Sequence, residues 1–244
     1  MNQQEIETAA ARLVSARRAG TRIEELGVKP ASVAEAHAIQ DAVAASLGEA
    51  VGAFKANAPP GEEPNRGLIY ARTIQESPAR FSDAEAGDRG VEGEIAFRVR
   101  RDLPMRATPY TREEVAEAVD ACAAIEVVSS RFADHTARSA LEKLADCVSN
   151  AGFVPGETVR DWGELDLPKL HVALSVNGAV VLDQVGGHPI GDPLAVAVAL
   201  VNMLGVKEGQ YVTCGSCTGL RFLKAGDSCA VRFAGLGDAA VSFA

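Results

Sequence analysis

The chain has 244 residues, 47% hydrophobic and 23% charged, with a formal net charge of −9 spread along its length. That is enough chain for one large domain, or for one domain with a small appendage. The composition is that of a folded globular protein, and the acidity argues against a nucleic-acid partner. The most apolar stretch, Leu194 to Leu204, is shorter than the ~20 residues a bilayer span requires, so no membrane association is expected. The opening MNQQEIETAA lacks a basic segment followed by an apolar one, and five cysteines is an odd number, so a reducing, cytoplasmic setting is expected.

Helical spacing of Ile6, Ala9, Ala10, Leu13 and Val14 predicts a first helix over Glu5 to Ala19. Ser32 and Glu35 read as a capping box for a second, ending at Leu47 before Gly48. From Val51 the pattern changes. Val51 to Ala56 is a short apolar strand, Pro59 to Pro64 a loop, and Gly90 to Arg100 alternates as a strand does. A helix after Thr111, boxed by Glu114, leads into a short apolar strand at Ala124 to Val128. Leu170 to Asp183 reads as a hairpin turning on Asn177-Gly178. Asp192 and Pro193 open another helix that Gly205 ends, and Gln210 to Phe243 is a series of short strands separated by glycines. The expected organisation is a helical N-terminal portion over 1–50 and a β-rich catalytic domain over 51–244.

The most informative segment is Val91-Glu92-Gly93-Glu94-Ile95-Ala96-Phe97. In a strand Val91, Ile95, Phe97 and Val99 share one face, while Glu92 and Glu94 share the other, about 7 Å apart along the strand. Two such carboxylates repel one another unless a positive group lies between them, and a hard divalent cation suits oxygen ligands. A solvated face with Arg98 and Arg100 as partners is the alternative. Glu126 lies in the apolar run Ala124 to Val128, where a carboxylate needs a metal or a cation beside it, and Arg131 is a candidate partner. Lys55, within Val51 to Ala56, is either an edge-strand surface residue or a buried acid, base or carboxylate clamp. Cys214 and Cys217 have redox or zinc half-site spacing, but no second half follows. His37, His135, His171 and His188 show no ligand spacing and are read as structural.

Several of these segments resemble a known family. Glu92 to Pro104, EGEIAFRVRRDLP, is similar to the signature strand of the 2-keto-4-pentenoate hydratase branch of the fumarylacetoacetate hydrolase superfamily, which also holds 4-oxalocrotonate decarboxylases. Ala124 to Arg131, AIEVVSSR, is similar to the strand supplying that family's third metal carboxylate. Leu144 to Gly156 resembles its A-D-N-x-S-x-G segment, with Cys147 where the Asn stands. Gly187-His188-Pro189, the Gly-Ser-Cys-Thr-Gly stretch, Ala225-Gly226-Asp227 and Gly235-Leu236-Gly237 match later motifs. Ala38-Ile39-Gln40 and Gly52-x-x-Lys55 match the N-terminal pattern.

The resemblance implies an α+β mixed β-roll and a metal-dependent enzyme acting on a small 2-oxo or 2-hydroxy-dienoic acid from aromatic meta-cleavage catabolism. It implies Glu92, Glu94 and Glu126 as ligands of Mg²⁺ or Mn²⁺, Lys55 as the active-site lysine, and Ser149, with Asp146 in the same segment, near the substrate. Hydration is the first expectation. Decarboxylation, C–C hydrolysis, or service as a non-catalytic partner subunit are the alternatives. A homo-oligomer, or a complex with a pathway enzyme, is also expected. One departure stands out: where the hydratases and decarboxylases carry an acid in P-D-F-G, this chain has Pro64-Asn65-Arg66-Gly67. Asn65 can donate and accept hydrogen bonds but cannot act as a carboxylate base. Arg66 and Arg72 are expected to bind an additional substrate carboxylate.

Overall fold

The computed structural model describes residues 1–244. Two helices, α1 (Gln3–Ala19) and α2 (Val33–Leu47), open the chain and pack on one another. Gly20 and Gly48, both left-handed, end them. Ser32 caps α2 by accepting from the Glu35 amide, but the expected reciprocal half of the box is missing. The Glu35 carboxylate turns instead to the Ala31 N–H and the N-terminal ammonium.

Ten further elements follow through the middle of the chain. They are β1 (Val51–Asn57), β2 (Asn65–Tyr70), β3 (Ala79–Phe81), α3 (Asp83–Ala86), β4 (Gly90–Val99), α4 (Arg112–Ala116), β5 (Val119–Val128), α5 (Ala140–Ala145), β6 (Asn150–Pro155) and β7 (His171–Val176). The chain then runs through β8 (Ala179–Val185), α6 (Pro193–Leu204), β9 (Tyr211–Ser216), β10 (Arg221–Phe222), β11 (Ser228–Phe233) and β12 (Gly237–Phe243). The β7–β8 turn has positive φ at both Asn177 and Gly178, as a type I′ turn requires. No helix is long and apolar enough to cross a membrane.

One element differs from its expectation. The short strand expected at Ala124 to Val128 is ten residues long. Ala121 to Ala124 favour helix when isolated, yet every residue of β5 pairs in register with one of β4, from Val99↔Val119 to Gly90↔Val128. Tertiary pairing overrides a weak local preference here.

The strands form two sheets, ordered β2-β1-β9-β4-β5-β6, with β10 beside β4, and β3-β12-β11-β7-β8. Just after β2 the chain bridges β6 at Ile74 and Phe153, so the first sheet curls until its two ends meet. The α+β roll is thus as expected. The convex face of β4 and β5, carrying Val91, Ile95, Phe97, Ile125 and Val127, joins a continuous core that includes Val172, Val231 and Val241 of the second sheet and Leu13 and Ile39 of the N-terminal helices. Gly93 permits this approach: a Cβ there would lie 2.6 Å from Val231. The concave face carries a separate, small apolar cluster of Ala53, Ile69, Ala96, Cys122, Ala124 and Phe153. Beside that floor the same face turns polar.

Candidate active site

Register places the charged groups. Glu92 stands directly opposite Glu126 across the β4–β5 ladder, and Glu94 follows two residues along on the same face. Ligand oxygens of the three carboxylates all lie within 4.8 Å of one another. Parallel pairing of β1 with β9 sets Lys55 against Thr213, and Thr213 in turn against Ala96. The Lys55 ammonium therefore reaches the carboxylates, 2.8 Å from Glu126 Oε2 and 3.1 Å from Glu92 Oε2. Arg131, considered as a partner for Glu126, pairs with Asp146 instead.

Other neighbours hold the carboxylates in place. The Thr213 hydroxyl donates to Glu94 Oε2, and the Gly215 N–H donates to the same oxygen at 2.9 Å. Asn150 Nδ2 donates to Glu126 Oε1 at 3.1 Å. Two oxygens are left without a hydrogen-bond donor although fully buried. Glu94 Oε1 has no partner, and Glu126 Oε2 has only the ammonium, off hydrogen-bond alignment.

Glu94 and Glu126 are both 0% exposed. Burial, then the neighbouring Glu126 charge, pushes the Glu94 carboxyl up to about 8. Glu126 is raised too, by burial first, with Lys55 opposing. For Lys55 burial works against the charge, but Glu126, Glu92 and Glu94 together outweigh it and hold the ammonium well above its ordinary value. One ammonium faces three carboxylates. The remaining negative charge, the all-oxygen donor set and the two orphaned oxygens fit a hard divalent cation such as Mg²⁺ or Mn²⁺.

A tight loop closes one side of the site. Cys147, Val148 and Ser149 have consecutive positive φ values of 53°, 52° and 61°, a rare backbone for non-glycine residues and strained for β-branched Val148. Gly67, opposite Lys55 in the β1–β2 ladder, admits the loop, since a Cβ there would lie 2.8 Å from the Cys147 carbonyl oxygen. Ser149 is buried, and its Oγ has no partner. Asn65 pairs with Asn57, two residues beyond Lys55, which puts it on the face that Lys55 occupies.

Two expectations need correction. Arg66 lies on the opposite face of β2, where its guanidinium grips Asp41 at 2.7 and 2.9 Å and Gln40 at 3.2 Å. It is not placed to bind a substrate carboxylate, because adjacent strand residues point to opposite faces. Arg72, likewise, pairs with Glu49 at 2.5 Å. Asp146 is 0% exposed and engaged by Arg131, whose Nε lies 2.5 Å away and whose N–H donates at 3.0 Å. Its carboxylate is thereby tied to two arginines at the base of the loop. Cys214 and Cys217 are free buried thiols.

Residues 48–243 match the family model described as fumarylacetoacetate (FAA) hydrolase C-terminal. The chain belongs to the fumarylacetoacetate hydrolase family. It is 27% identical over 189 residues to the TodF product hydratase of Pseudomonas putida, an alignment covering 75% of this chain and 69% of that one. It is 28% identical over 159 residues to a 4-oxalocrotonate decarboxylase of Pseudomonas putida, covering 63% and 59%. The chain thus spans more than two thirds of that hydratase and less than two thirds of that decarboxylase. Among solved structures, a 4-oxalocrotonate decarboxylase from Pseudomonas putida complexed with magnesium and adipate superposes with a TM-score of 0.86 at 20% identity, over 100% of this chain and 99% of that one. A fumarylpyruvate hydrolase from Pseudomonas aeruginosa, in complex with Mn²⁺ and pyruvate, gives 0.60 at 13% identity over 78% and 88%.

Sequence reasoning passed over Thr213, Gly215 and Asn150. The available signal was a hydroxyl and a glycine amide in the buried run Tyr211–Ser216, and an amide following Ser149. Neither says what it touches without the strand pairing.

Proposed function

We propose that the protein is a divalent-metal-dependent lyase acting on a 2-oxo or 2-hydroxy-dienoic acid, with hydration of a 2-keto-4-pentenoate-type substrate as its reaction. The observation that carries this reading is the buried set Glu92, Glu94 and Glu126 sharing the single Lys55 ammonium. In it the three glutamates hold Mg²⁺ or Mn²⁺. When bound, such a cation supplies a Lewis acid that stabilises the enolate form of a 2-oxo acid.

The chain's own groups do the rest. Lys55 stays protonated at neutral pH, so it serves as a positive anchor and proton donor and not as a base. Ser149, buried with a free hydroxyl, offers a hydrogen bond to the substrate carboxylate. Asn65, on the Lys55 face, orients water or substrate without removing a proton. The apolar cluster of Ala53, Ile69, Ala96, Ala124 and Phe153 lies on the same face beside the carboxylates and keeps bulk water from them. A homo-oligomer belongs to this reading, supported by the exposed valines of β8, Val180 at 60% and Val185 at 65%.

Decarboxylation of a 4-oxalocrotonate-type acid is the second reading, favoured by a Lys55 ammonium held protonated beside the carboxylates. Loss of CO₂ leaves an electron pair that needs a proton donor, such as Lys55, and requires no carboxylate base. The test is an ultraviolet assay of metal-stripped protein with 2-hydroxypenta-2,4-dienoate and, separately, 4-oxalocrotonate, each with and without added Mg²⁺ or Mn²⁺. Metal-dependent loss of dienoate absorbance to 4-hydroxy-2-oxopentanoate is expected. CO₂ release from the second substrate alone would select decarboxylation. Turnover of neither would overturn the reading.

A further inference from the structure

A cavity of about 180 Å³ lies between α1, α3 and the ends of β5 and β6. Its lining includes four arginines, Arg17, Arg22, Arg72 and Arg131, and two carboxylates, Asp83 and Glu85. Most of these charges already have partners. Arg22 pairs with Asp88, Arg72 with Glu49 and Asp83 with Arg89, while Glu85 is held in the cap of its own helix at Ser82. None of Glu92, Glu94, Glu126 and Lys55 lines the cavity.

The balance fails at the buried wall. Arg17 and Arg131 are each 9% exposed at the side chain, and between them stands one carboxylate, Asp146. Arg131 takes most of it, with Nε at 2.5 Å and the backbone N–H on the second oxygen. Arg131 also donates to the Ser129, Asn150 and Asp146 carbonyls, so four of its five guanidinium donors are taken. Arg17 is left with a 3.4 Å contact to Asp146, a stacking contact over Tyr70 at 5.2 Å, and a buried Nε that no acceptor meets. A guanidinium buried at nine-tenths with an unmet donor is costly unless an anion completes it. The Ser130 hydroxyl and Thr21 line the same space, and hydroxyls beside a guanidinium fork suit an anion with several oxygens.

We propose that this cavity is a binding site for a small multi-oxygen anion, a phosphate or a short dicarboxylate, held by Arg17 with Arg131 behind it. It is distinct from the carboxylate site, which repels anions when no cation is bound. The Arg131 guanidinium touches both the cavity and the two carbonyls flanking the Cys147–Ser149 loop, so an anion there also stiffens the loop that carries Ser149 and Asn150.

The experiment is a titration of the metal-stripped full chain with inorganic phosphate and, separately, succinate, against sodium chloride at matched ionic strength. Thermal melting and amide chemical shifts are the readouts. The expected result is a rise in melting temperature with at least one anion beyond the chloride control. Shifts should centre on Thr21, Ser130 and Arg131 and persist in Glu126→Gln. Arg17→Met should weaken binding at least tenfold while leaving Mg²⁺ affinity unchanged. If that variant does not fold, the shift map of the unmodified protein still decides. Phosphate binding alone, or succinate binding alone, names the ligand class. No stabilisation by either, shifts outside this cavity, or unchanged affinity in a folded Arg17→Met would overturn the proposal.

Discussion

Glu92 and Glu126 face one another directly across the β4–β5 ladder, and the same Lys55 ammonium touches both. Like charges in that position repel, so the lysine is what the fold supplies to hold the pair when no cation is present. Lys55→Met is therefore expected to destabilise the metal-free protein by about 3–5 kcal/mol, since it leaves buried carboxylates without a counter-charge. Saturating Mg²⁺ should recover part of the loss. Chemical denaturation with and without the metal checks both statements.

Glu94→Gln should act in the opposite sense on stability. It keeps the oxygen that accepts from Thr213 and Gly215 but removes one of three mutually repelling charges. Above about pH 8, where the Glu94 carboxyl is ionised, the metal-free variant is expected to be more stable than the parent; near pH 7, where the carboxyl already carries a proton, the two should differ little. Its melting temperature should no longer respond to Mg²⁺, and its turnover should fall to background. A metal response as large as the parent's would remove Glu94 from the ligand set.

The pH dependence of metal binding follows from the raised Glu94 carboxyl. Burial and Glu126 push it up to about 8, and a cation binds the ionised form, so below that pH binding displaces a proton. Apparent affinity is expected to rise with pH until about 8 and level off above it. Calorimetry in two buffers of different ionisation enthalpy, at pH 6.5 and 9, should find proton release at the first and little at the second.

Asn65→Asp tests the departure from the family's acid. A carboxylate on the Lys55 face adds a general acid–base group, with an expected gain in dienoate hydration on the order of 10²-fold. Mg²⁺ affinity should be unchanged. No gain in hydration alongside intact metal binding would argue that the missing acid is not what limits hydration.

His37 gives a prediction about the fold itself. Burial, then the Arg66 charge, lowers its pKa to about 4 from 6.5, and its ring accepts the Arg66 N–H. The folded state prefers the neutral ring, so the unfolded chain binds more protons between these values. The stability His37 contributes is complete above about 6.5 and is lost as the pH falls through about 4. His37→Gln should show a shallower loss of stability across that interval, measured by urea denaturation at pH 4 to 7.

Much of the fold was legible because its signals are local. Alternation from Val91 to Val99 told which face Glu92 and Glu94 share, and Asn177-Gly178 fixed the hairpin turn. The partnerships were not local. Arg131 stands five residues from Glu126 yet lies past the strand end, so sequence proximity suggested a pair that β-sheet geometry does not make. Lys55 meets Glu126 only because β1, β9, β4 and β5 lie side by side, an order that no window of sequence records. Arg66 beside Lys55's opposite number shows how one residue of offset reverses a side chain's destination. The unpaired Arg17 Nε leaves no trace in the sequence at all.

Lys55, Asn65, Glu92, Glu94, Glu126 and Thr213 come from five strands, and each reaches the concave face only through the parity of its own strand. A slip of one residue in β1, β4, β5 or β9 would turn its group away from the concave face and bring an apolar or glycine neighbour inward, and in β2 it would bring in Arg66. Metal affinity thus reports on the alignment of strands far apart in the chain. A misregistered molecule, however compact, would be silent to Mg²⁺, and the cation would sort correctly paired sheets from the rest.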